Sequence, residues 1–243
     1  MRRLALFLVL LAPLAAAAQV YTYLDSSLKN GGAVHTALLI APDVSVSEIS
    51  AGGVVEKMPD WSKQAAANID SALRRIGQGG KLRLSEPPKL SDADQHALQQ
   101  HVALYNVVAA NVHSNSLSGG ELWETRLKSG LTDYTVGPGL AFLAEKTGAD
   151  TALVVIARDA ESSGGRKAMF VLGAMFGVGL PLGQSFVVAG LIDLRSGRVL
   201  WQSFDRSVSS NLRVAEDADK LVQELFQSYP AAGKGTDMLQ RIY

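Results

Sequence analysis

Three carboxylates border apolar runs in the last third of the chain, at positions that could support ligand binding or hydrolysis. Asp159 and Glu161 follow the apolar run at residues 151–157, and Asp193 lies near the end of a second run at residues 185–194. Ligands of α/β sheets commonly bind beyond the ends of strands, where carboxylates can hold a small molecule or transfer a proton. One hypothesis is therefore a small-ligand binder or hydrolase that uses these acids at one edge of a sheet. The alternative interpretation is that they are solvated strand ends.

The other polar motifs point away from catalysis. The chain has no Cys, which excludes thiol chemistry. His96 and His101 do not share a helix face as a zinc-binding pair would, and we interpret His101 as a core or interface residue. Asp92 and Asp94 lie in the first turn of a predicted helix, where acids favour capping over metal binding, and AGKGT at residues 232–236 lacks the preceding strand of a phosphate loop. The sequence thus predicts no catalytic residue, no metal site and no cofactor, and an enzyme is the less favoured class.

An uncharged segment at residues 168–183 stands out as a possible contact surface. Its sequence is AMFVLGAMFGVGLPLG, which is too short to span a bilayer as a lone helix. We interpret it first as a buried or glycine-bent strand, because a helix would contain several breakers. The alternative is an apolar arm that contacts a partner subunit or a membrane. The breakers are Gly173, Gly177, Gly179, Pro181 and Gly183, and the candidate contact residues are Phe170, Met175, Phe176 and Leu180.

The first residues of the chain have the three regions of an export signal. Arg2 and Arg3 precede an apolar run at residues 4–14, and the alanines at residues 15–18 provide the small side chains that signal peptidase requires. Residues 1–18 are expected to be removed by cleavage after Ala18. No Cys follows, so attachment of a lipid to a cysteine is not expected. We therefore expect a bacterial protein that is periplasmic or associated with the outer membrane.

The charge of the chain gives no sign of a nucleic-acid partner. Lys and Arg together number 23, as do Asp and Glu, so the formal net charge is zero. No basic patch is evident in the sequence, and we do not expect nucleic acid to bind. Because there is no Cys, an exported chain of this kind must be stabilised by its core alone.

The acids and the uncharged segment are positioned by the elements around them. Short apolar or alternating runs predict strands, and apolar residues three and four positions apart predict amphipathic helices. The predicted strands are residues 35–41, 81–84, 151–157, 185–194 and 198–208, and the predicted helices are residues 60–76, 91–112, 140–146 and 215–229. Residues 43–58 and 111–139 are interpreted as loops, the second with a short helix at residues 121–128.

This order of elements predicts an α/β (α+β) fold, in which helices pack on a mixed sheet that ends in a hairpin and a carboxyl-terminal amphipathic helix. Residues 33–230 are expected to form this single domain. Residues 19–32 are interpreted as a leader segment or an edge strand, and residues 231–243 as a polar tail. The run at residues 151–157 is nearly all apolar, which is typical of a central strand covered on both faces.

The order of motifs in the last third resembles a known family of bacterial envelope proteins. GADTALVVIARD at residues 148–159 is followed by a polar turn, an apolar glycine-rich stretch and VVAGLIDLRSGRVLWQ at residues 187–202. This order resembles the relatives of the curli-secretion lipoprotein and of the amino-terminal domain of the Tol-system β-propeller protein. HTALLIAPD at residues 35–43 would match the family's first strand. The most recognisable part is Asp-Leu-x-x-Gly-x-x-x-Trp, in which Gly197 closes the hairpin turn and Trp201 returns to the core.

The resemblance implies a mixed α/β domain that binds other envelope proteins and does no chemistry. In the curli-secretion relatives, apolar insertions from several subunits build a membrane barrel, whereas this chain has one such segment, at residues 168–183, and lacks their lipid-bearing Cys. The favoured hypothesis is a non-catalytic binding or assembly module, in an outer-membrane-associated secretion or assembly complex. Other envelope proteins are the expected partners, and the outer membrane and further copies of this chain are additional candidates.

Overall fold

The computed structural model describes residues 20–29, 34–78, 82–117, 134–175, 183, 185–205 and 210–230. The expected export signal, the polar tail with its AGKGT sequence and the short helix expected at residues 121–128 lie outside these residues. In the described part of the chain, no helix is both long and apolar enough to cross a membrane.

The described ranges contain eight β-strands and six α-helices. The strands are β1 (Val20–Leu24), β2 (Thr36–Leu39), β3 (Asp43–Ile49), β4 (Val55–Lys57), β5 (Arg83–Ser85), β6 (Thr151–Ser162), β7 (Ser185–Asp193) and β8 (Val199–Asp205). The α-helices are α1 (Ser26–Lys29), α2 (Pro59–Gln78), α3 (Asp92–Leu117), α4 (Ala141–Thr147), α5 (Gly164–Met175) and α6 (Ala215–Leu225). Short 3-10 helices at Pro138–Leu140 and Phe226–Ser228 precede α4 and follow α6.

These strands form one mixed sheet in which β6 is central. On one side β6 pairs antiparallel with β7, and on the other it pairs parallel with both β2 and β3. β2 and β3 follow each other along that side, separated by a short break that contains Pro42. Beyond β7 lie β8 and then β1, whereas β5 pairs with β2 and β4 pairs with β3. This mixed sheet with helices packed on it confirms the predicted fold class.

Helices cover both faces of the sheet and create two apolar cores. The first core includes Leu73 of α2, Trp201 of β8 and Leu225 of α6. The second core includes Tyr105 of α3 and Leu143 of α4. Successive residues of β6 alternate between the two cores, as the prediction of a doubly covered central strand requires.

The interpretation of residues 43–58 as a loop is wrong. β3 and β4 form an antiparallel hairpin with Ser47 opposite Lys57, and β3 also extends the sheet beside β6. The first five residues of β3, DVSVS, alternate polar and apolar side chains, and Val46 in the middle of the strand is buried. The period of a strand was therefore present, but the polar side chains of the other face gave the segment the composition of a loop.

The preferred interpretation of residues 168–183 as a buried strand is also wrong where the structure describes them. Residues Gly164–Met175 form the helix α5 instead. Gly173 is the one predicted breaker inside this helix, and an interior glycine costs only about 1 kcal/mol relative to Ala. The other breakers come after Met175, so they do not oppose the helix.

The strand β1 shows which of the two interpretations of residues 19–32, a leader segment or an edge strand, applies to its residues. β1 pairs antiparallel with β8 along its whole length, from Val20 opposite Asp205 to Leu24 opposite Trp201. The buried Asp25 follows, and its carboxylate accepts a hydrogen bond from the Arg198 guanidinium at 2.7 Å. The first described residues of this segment therefore form an edge strand that is tied to the hairpin, and α1 follows it.

Candidate functional site

The apolar arm, which we define as residues 164–183, begins just after the end of β6, and its last residue, Gly183, lies beside the same strand. At its start, the Ser163 N–H donates a hydrogen bond to a carbonyl of β3 at 2.9 Å. At its end, the Gly183 N–H donates to the Ser162 hydroxyl at 3.3 Å. A Cβ on Gly183 would lie 1.3 Å from the Ala160 carbonyl oxygen, so Gly183 is in direct contact with β6. Both described ends of the arm therefore lie at the end of β6, and α5 is the part of the arm whose conformation the structure describes.

The helix α5 exposes large apolar side chains in several directions. Residues 168–175 include no charged or polar side chain. Arg166 is buried, and Phe170 is half-buried four residues later, along the side that faces the domain. A helix that is apolar all round has no polar face to present to water. The exposed fractions are 49% for Met169, 60% for Val171, 54% for Leu172 and 76% for Met175.

Of the four contact residues inferred from the sequence, the structure describes two, and both lie in α5. Met175 is its most exposed large apolar residue and Phe170 is half-buried. Phe176 and Leu180 lie outside the described residues. The exposure of α5 agrees with the alternative interpretation, an apolar arm, over the part of the segment that the structure describes.

The β3–β4 turn borders the base of the arm. A Cβ on Gly53, where φ is +85°, would lie 3.3 Å from the Arg166 guanidinium. Val54 at the end of the turn and Val55 at the start of β4 are 68% and 60% exposed. The exposed apolar surface therefore includes this turn as well as α5.

Asp159 lies inside β6 rather than beyond its end. β6 continues to Ser162, and Asp159 is only 3% exposed. Its Oδ1 accepts a hydrogen bond from the Ser185 hydroxyl, whereas its Oδ2 has no hydrogen-bond partner among the described residues. Burial is the main reason why the pKa of this carboxyl is raised, and the hydrogen bond from Ser185 acts in the opposite direction. Asp159 is thus an interior acid of the sheet.

Glu161 forms an ion pair that accounts for its position. The Arg213 Nη2 lies 2.5 Å from the Glu161 Oε2. The same guanidinium lies 4.0 Å from the centre of the Trp61 ring, and its Nε donates to the Asn211 side-chain oxygen at 3.1 Å. These contacts join the segment before α6 to β6 and α2. A structural role therefore explains Glu161 without a ligand.

Asp193 lies at the opposite end of the sheet. It pairs with Thr151 at the start of β6, whereas Asp159 pairs with Ser185. The eight-residue offset between these pairs along β6 corresponds to roughly 26 Å. The Asp193 Oδ1 accepts hydrogen bonds from the Ser196 N–H at 2.7 Å and hydroxyl at 2.6 Å, so it caps the hairpin turn. The three acids do not share one edge of the sheet, because β7 runs antiparallel to β6.

Asp205 is the buried acid that the sequence analysis missed. It ends β8 and is fully buried, and neither carboxylate oxygen has a hydrogen-bond partner among the residues the structure describes. Burial raises the pKa of Asp205 from 3.8 to about 6, and the charge of Glu224 on α6 acts in the same direction. The two-residue period of a strand could have predicted that Asp205 faces the core, because Trp201 points into the core and Asp205 lies four residues later on the same face.

The protein is expected to be more stable at mildly acidic pH because of Asp205. A carboxyl with a raised pKa stabilises the native state fully below its unfolded value of 3.8, and this contribution is lost as the pH rises through about 6. Asp205→Asn should therefore raise the free energy of unfolding near pH 7.5 by about 1–2 kcal/mol, with little effect near pH 4.5. Urea unfolding in buffer that contains a chelator would measure this. Destabilisation at both pH values would show that the ionised carboxylate is stabilised in the native state.

The histidines and first-turn acids have structural contacts in the described ranges. No group of three or more His, Asp or Glu side chains there is arranged to hold a metal ion. The His101 Nδ1 lies 2.8 Å from the Ala97 carbonyl oxygen, and the ring packs against Gly139. The Ser91 hydroxyl accepts a hydrogen bond from the Asp94 N–H at 3.2 Å and donates to the Asp94 carboxylate at 2.6 Å. Ser91 and Asp94 therefore cap the start of α3, as their spacing predicts.

Comparisons with known proteins add little to this geometry. No family model and no curated protein matches the sequence. Among solved structures, a dodecamer of a point variant of PelC from Paraburkholderia phytofirmans is 13% identical with a TM-score of 0.37, over 89% of this chain and 99% of that chain. A further PelC dodecamer from the same organism is 13% identical with a TM-score of 0.35, over 88% of this chain and 98% of that chain. Scores this low support no inference about the fold or function of this chain.

Proposed function

We propose that this chain is a non-catalytic binding and assembly module of the bacterial envelope that attaches to a membrane surface through the apolar arm. The observation that carries the proposal is α5, an outward-facing helix with no charged or polar side chain at residues 168–175. The export signal expected at residues 1–18 supports a location in the envelope. Other envelope proteins are the partners that the module would bring together at that surface.

An arm that is apolar in several directions suits a lipid surface better than a groove on a protein. A helix that docks in a protein groove normally has one apolar stripe and a polar back that stays in water. Val171 and Leu172 are adjacent, so their side chains point about 100° apart, yet both are more than half exposed. Hydrocarbon can surround the free sides of such a helix, whereas a groove covers only one of them.

The dimensions and charge of the arm suit shallow insertion. The apolar part of α5, residues 168–175, is about 12 Å long, and interfacial helices place their apolar side roughly 5–10 Å below the headgroups. Lys167 is exposed immediately before this apolar part. Its ammonium group would then lie at the level of anionic headgroups, which attract basic side chains.

The weak membrane binding expected of a single arm explains why membrane attachment and assembly are proposed together. Transfer of each exposed side chain of α5 into lipid is worth about 1–2 kcal/mol, which gives a weak and reversible interaction for a single arm. Stable attachment of proteins to membranes generally requires a second signal. Several arms held in one complex would provide it, because linked binding events reinforce each other.

Removal of apolar side chains from the arm should weaken membrane binding without unfolding the domain. We expect Leu172→Ser and Met175→Ser each to reduce binding to vesicles about tenfold, because each change removes about 1.4 kcal/mol of transfer free energy. The measurement is flotation of the chain from Gln19 onward with vesicles of phosphatidylethanolamine and phosphatidylglycerol. Circular dichroism would show that the variants remain folded.

The chain provides a matched control for this experiment on another helix. Leu104 and Val107, which belong to α3 rather than to the arm, are 44% and 58% exposed. Leu104→Ser and Val107→Ser should leave flotation unchanged. If the parent protein does not float, and the arm variants instead dissociate an oligomer in vesicle-free buffer, the arm contacts a second copy of the chain and the lipid proposal is wrong.

A further inference from the structure

The strand β5 gives the sheet an open edge. Among the described residues β5 is the last strand on its side of the sheet, and it pairs there only with β2. The Arg83 N–H donates a hydrogen bond to the His35 carbonyl at 2.7 Å, so the backbone groups of Arg83 point toward β2. Backbone groups of successive strand residues point to opposite edges of the strand. The N–H and C=O of Leu84 therefore face outward, where a further strand can pair with them.

A groove of about 320 Å³ lies beside this edge, between β5 and the end of α2. Leu39 and Leu84 provide its apolar surface, and both belong to the side of the sheet that α2 covers. Gly77 lies in the last turn of α2, where a Cβ would come within 3.3 Å of the Leu84 side chain. A volume of this size accommodates a small molecule or a few side chains. None of these residues belongs to the arm, so membrane attachment and binding in this groove can be tested separately.

The charged side chains of the groove differ in whether they have a partner. The Arg74 guanidinium lies 2.6 Å from the Asp70 carboxylate and 2.6 Å from the Glu86 carboxylate, so these three groups neutralise one another in part. Arg83 is exposed, and its guanidinium has no ion pair or hydrogen bond among the residues that the structure describes. A carboxylate is the group that a guanidinium binds best, through two parallel hydrogen bonds. Arg83 therefore favours an acidic side chain beside β5.

We propose that the open edge of β5 binds an extended acidic peptide of a partner protein, which adds a strand to the sheet. The outward N–H and C=O of Leu84 would bond to its main chain, as in other cases of strand addition. Successive side chains of such a strand point to opposite faces of the sheet. Those on the side of α2 would enter the groove beside Leu84, and those on the other side would meet Arg83. The preferred peptide therefore alternates apolar and acidic residues.

A peptide suits this surface better than a small anion. The Glu86 carboxylate lines the same groove and would repel a compact, highly charged anion such as phosphate. A peptide places one carboxylate next to Arg83 and directs neutral groups toward the rest of the groove. Its main chain also supplies the donors and acceptors that the edge of a strand requires, which inorganic phosphate does not.

The test begins with selection from a phage-displayed library of random heptapeptides against the protein from Gln19 onward. We expect the selected sequences to alternate apolar and acidic residues, and a synthetic consensus peptide to bind in a fluorescence polarisation assay. Arg83→Glu should weaken this binding about tenfold or more, whereas Arg83→Lys should retain most of it. Lys89→Glu is the matched control, because it makes the same change of charge on an exposed side chain outside the groove lining.

Methylation of the peptide amides tests strand addition without any change to the protein. Methyl groups on alternate amide nitrogens that face β5 should abolish binding, whereas the same number of methyl groups shifted by one residue should leave it nearly unchanged. Three results would overturn the proposal. The library yields no specific sequence, the selected peptides bind Arg83→Glu as tightly as the parent protein, or the two methylated peptides bind equally well.

Discussion

Replacement of Trp201 by alanine is expected to lower the free energy of unfolding by about 3–5 kcal/mol. The indole is completely buried, and the ring centres of Phe226 and Tyr229 each lie 5.1 Å from its own. Tyr229 also donates a hydrogen bond from its hydroxyl to the Val34 carbonyl at 2.9 Å. Loss of the indole would leave a cavity between the sheet and the chain that follows α6. Urea unfolding followed by far-ultraviolet circular dichroism would measure the change.

Two further substitutions serve as controls for Trp201→Ala: one keeps an aromatic ring at position 201, and the other removes a tryptophan that is only half-buried. The buried Trp201 N–H has no hydrogen-bond partner among the described residues, so Trp201→Phe removes an unsatisfied donor and should cost only about 1 kcal/mol. Trp61 is half-buried beneath the Arg213 guanidinium, and Trp61→Ala should cost about 1–2 kcal/mol. If Trp201→Ala is no more destabilising than Trp61→Ala, Trp201 is not central to this core.

Replacement of Gly190 by alanine is the second substitution for which a large effect is expected, a loss of about 2–4 kcal/mol. A Cβ at this position of β7 would lie 1.8 Å from the Tyr105 hydroxyl and 2.3 Å from the ring carbon that bears it. Tyr105 is fully buried, and its hydroxyl donates to the Gln202 Oε1 at 3.2 Å. The Gln202 Nε2 in turn donates to the Ala109 carbonyl at 3.2 Å. The added methyl group would displace the ring and break this buried link between α3 and the sheet.

Thermal and urea unfolding of Gly190→Ala should be compared with Gly164→Ala at the start of α5. A Cβ at Gly164 would meet no atom within 4 Å, so that substitution should change stability by less than about 1 kcal/mol. Tyr105→Phe would leave the Gln202 Oε1 without its donor and should cost about 1–2 kcal/mol. Native-like stability of Gly190→Ala would mean that α3 does not pack on β7 through Tyr105.

Substitutions in the two cores and substitutions in the arm should have different effects. Trp201 and Gly190 lie on opposite faces of the sheet, the indole in one core and the glycine against Tyr105 of the other, whereas the exposed side chains of α5 contribute little to either core. We therefore expect core variants to lower stability and arm variants to lower binding with little change in stability. A variant of α5 that unfolded the domain would contradict this division.

Local periodicity was sufficient to identify several elements from the sequence. The apolar run at residues 151–157 predicts the central strand, and the structure extends it as Thr151–Ser162. The stripe at residues 215–229 predicts α6, and four of its residues are buried, namely Ala218, Leu221, Val222 and Leu225. The turn at Gly197 has φ +72°, which a glycine adopts easily. These features depend on neighbouring residues, so they are encoded within short windows of the chain.

The burial of the acids and the direction of the arm depend on the tertiary structure. Asp159 and Asp193 look alike in the sequence, but antiparallel pairing of β6 with β7 buries one and places the other in a turn at the opposite end. The strand period places Asp205 on the same face of β8 as Trp201, but Asp205 is buried because β8 lies between β7 and β1 beneath α6. The composition of residues 168–183 is equally compatible with a buried strand and an exposed helix. Local periodicity therefore determined most of the strands and helices, with α5 as the main exception. The pairing of distant strands and the packing of helices on them determined which side chains meet solvent.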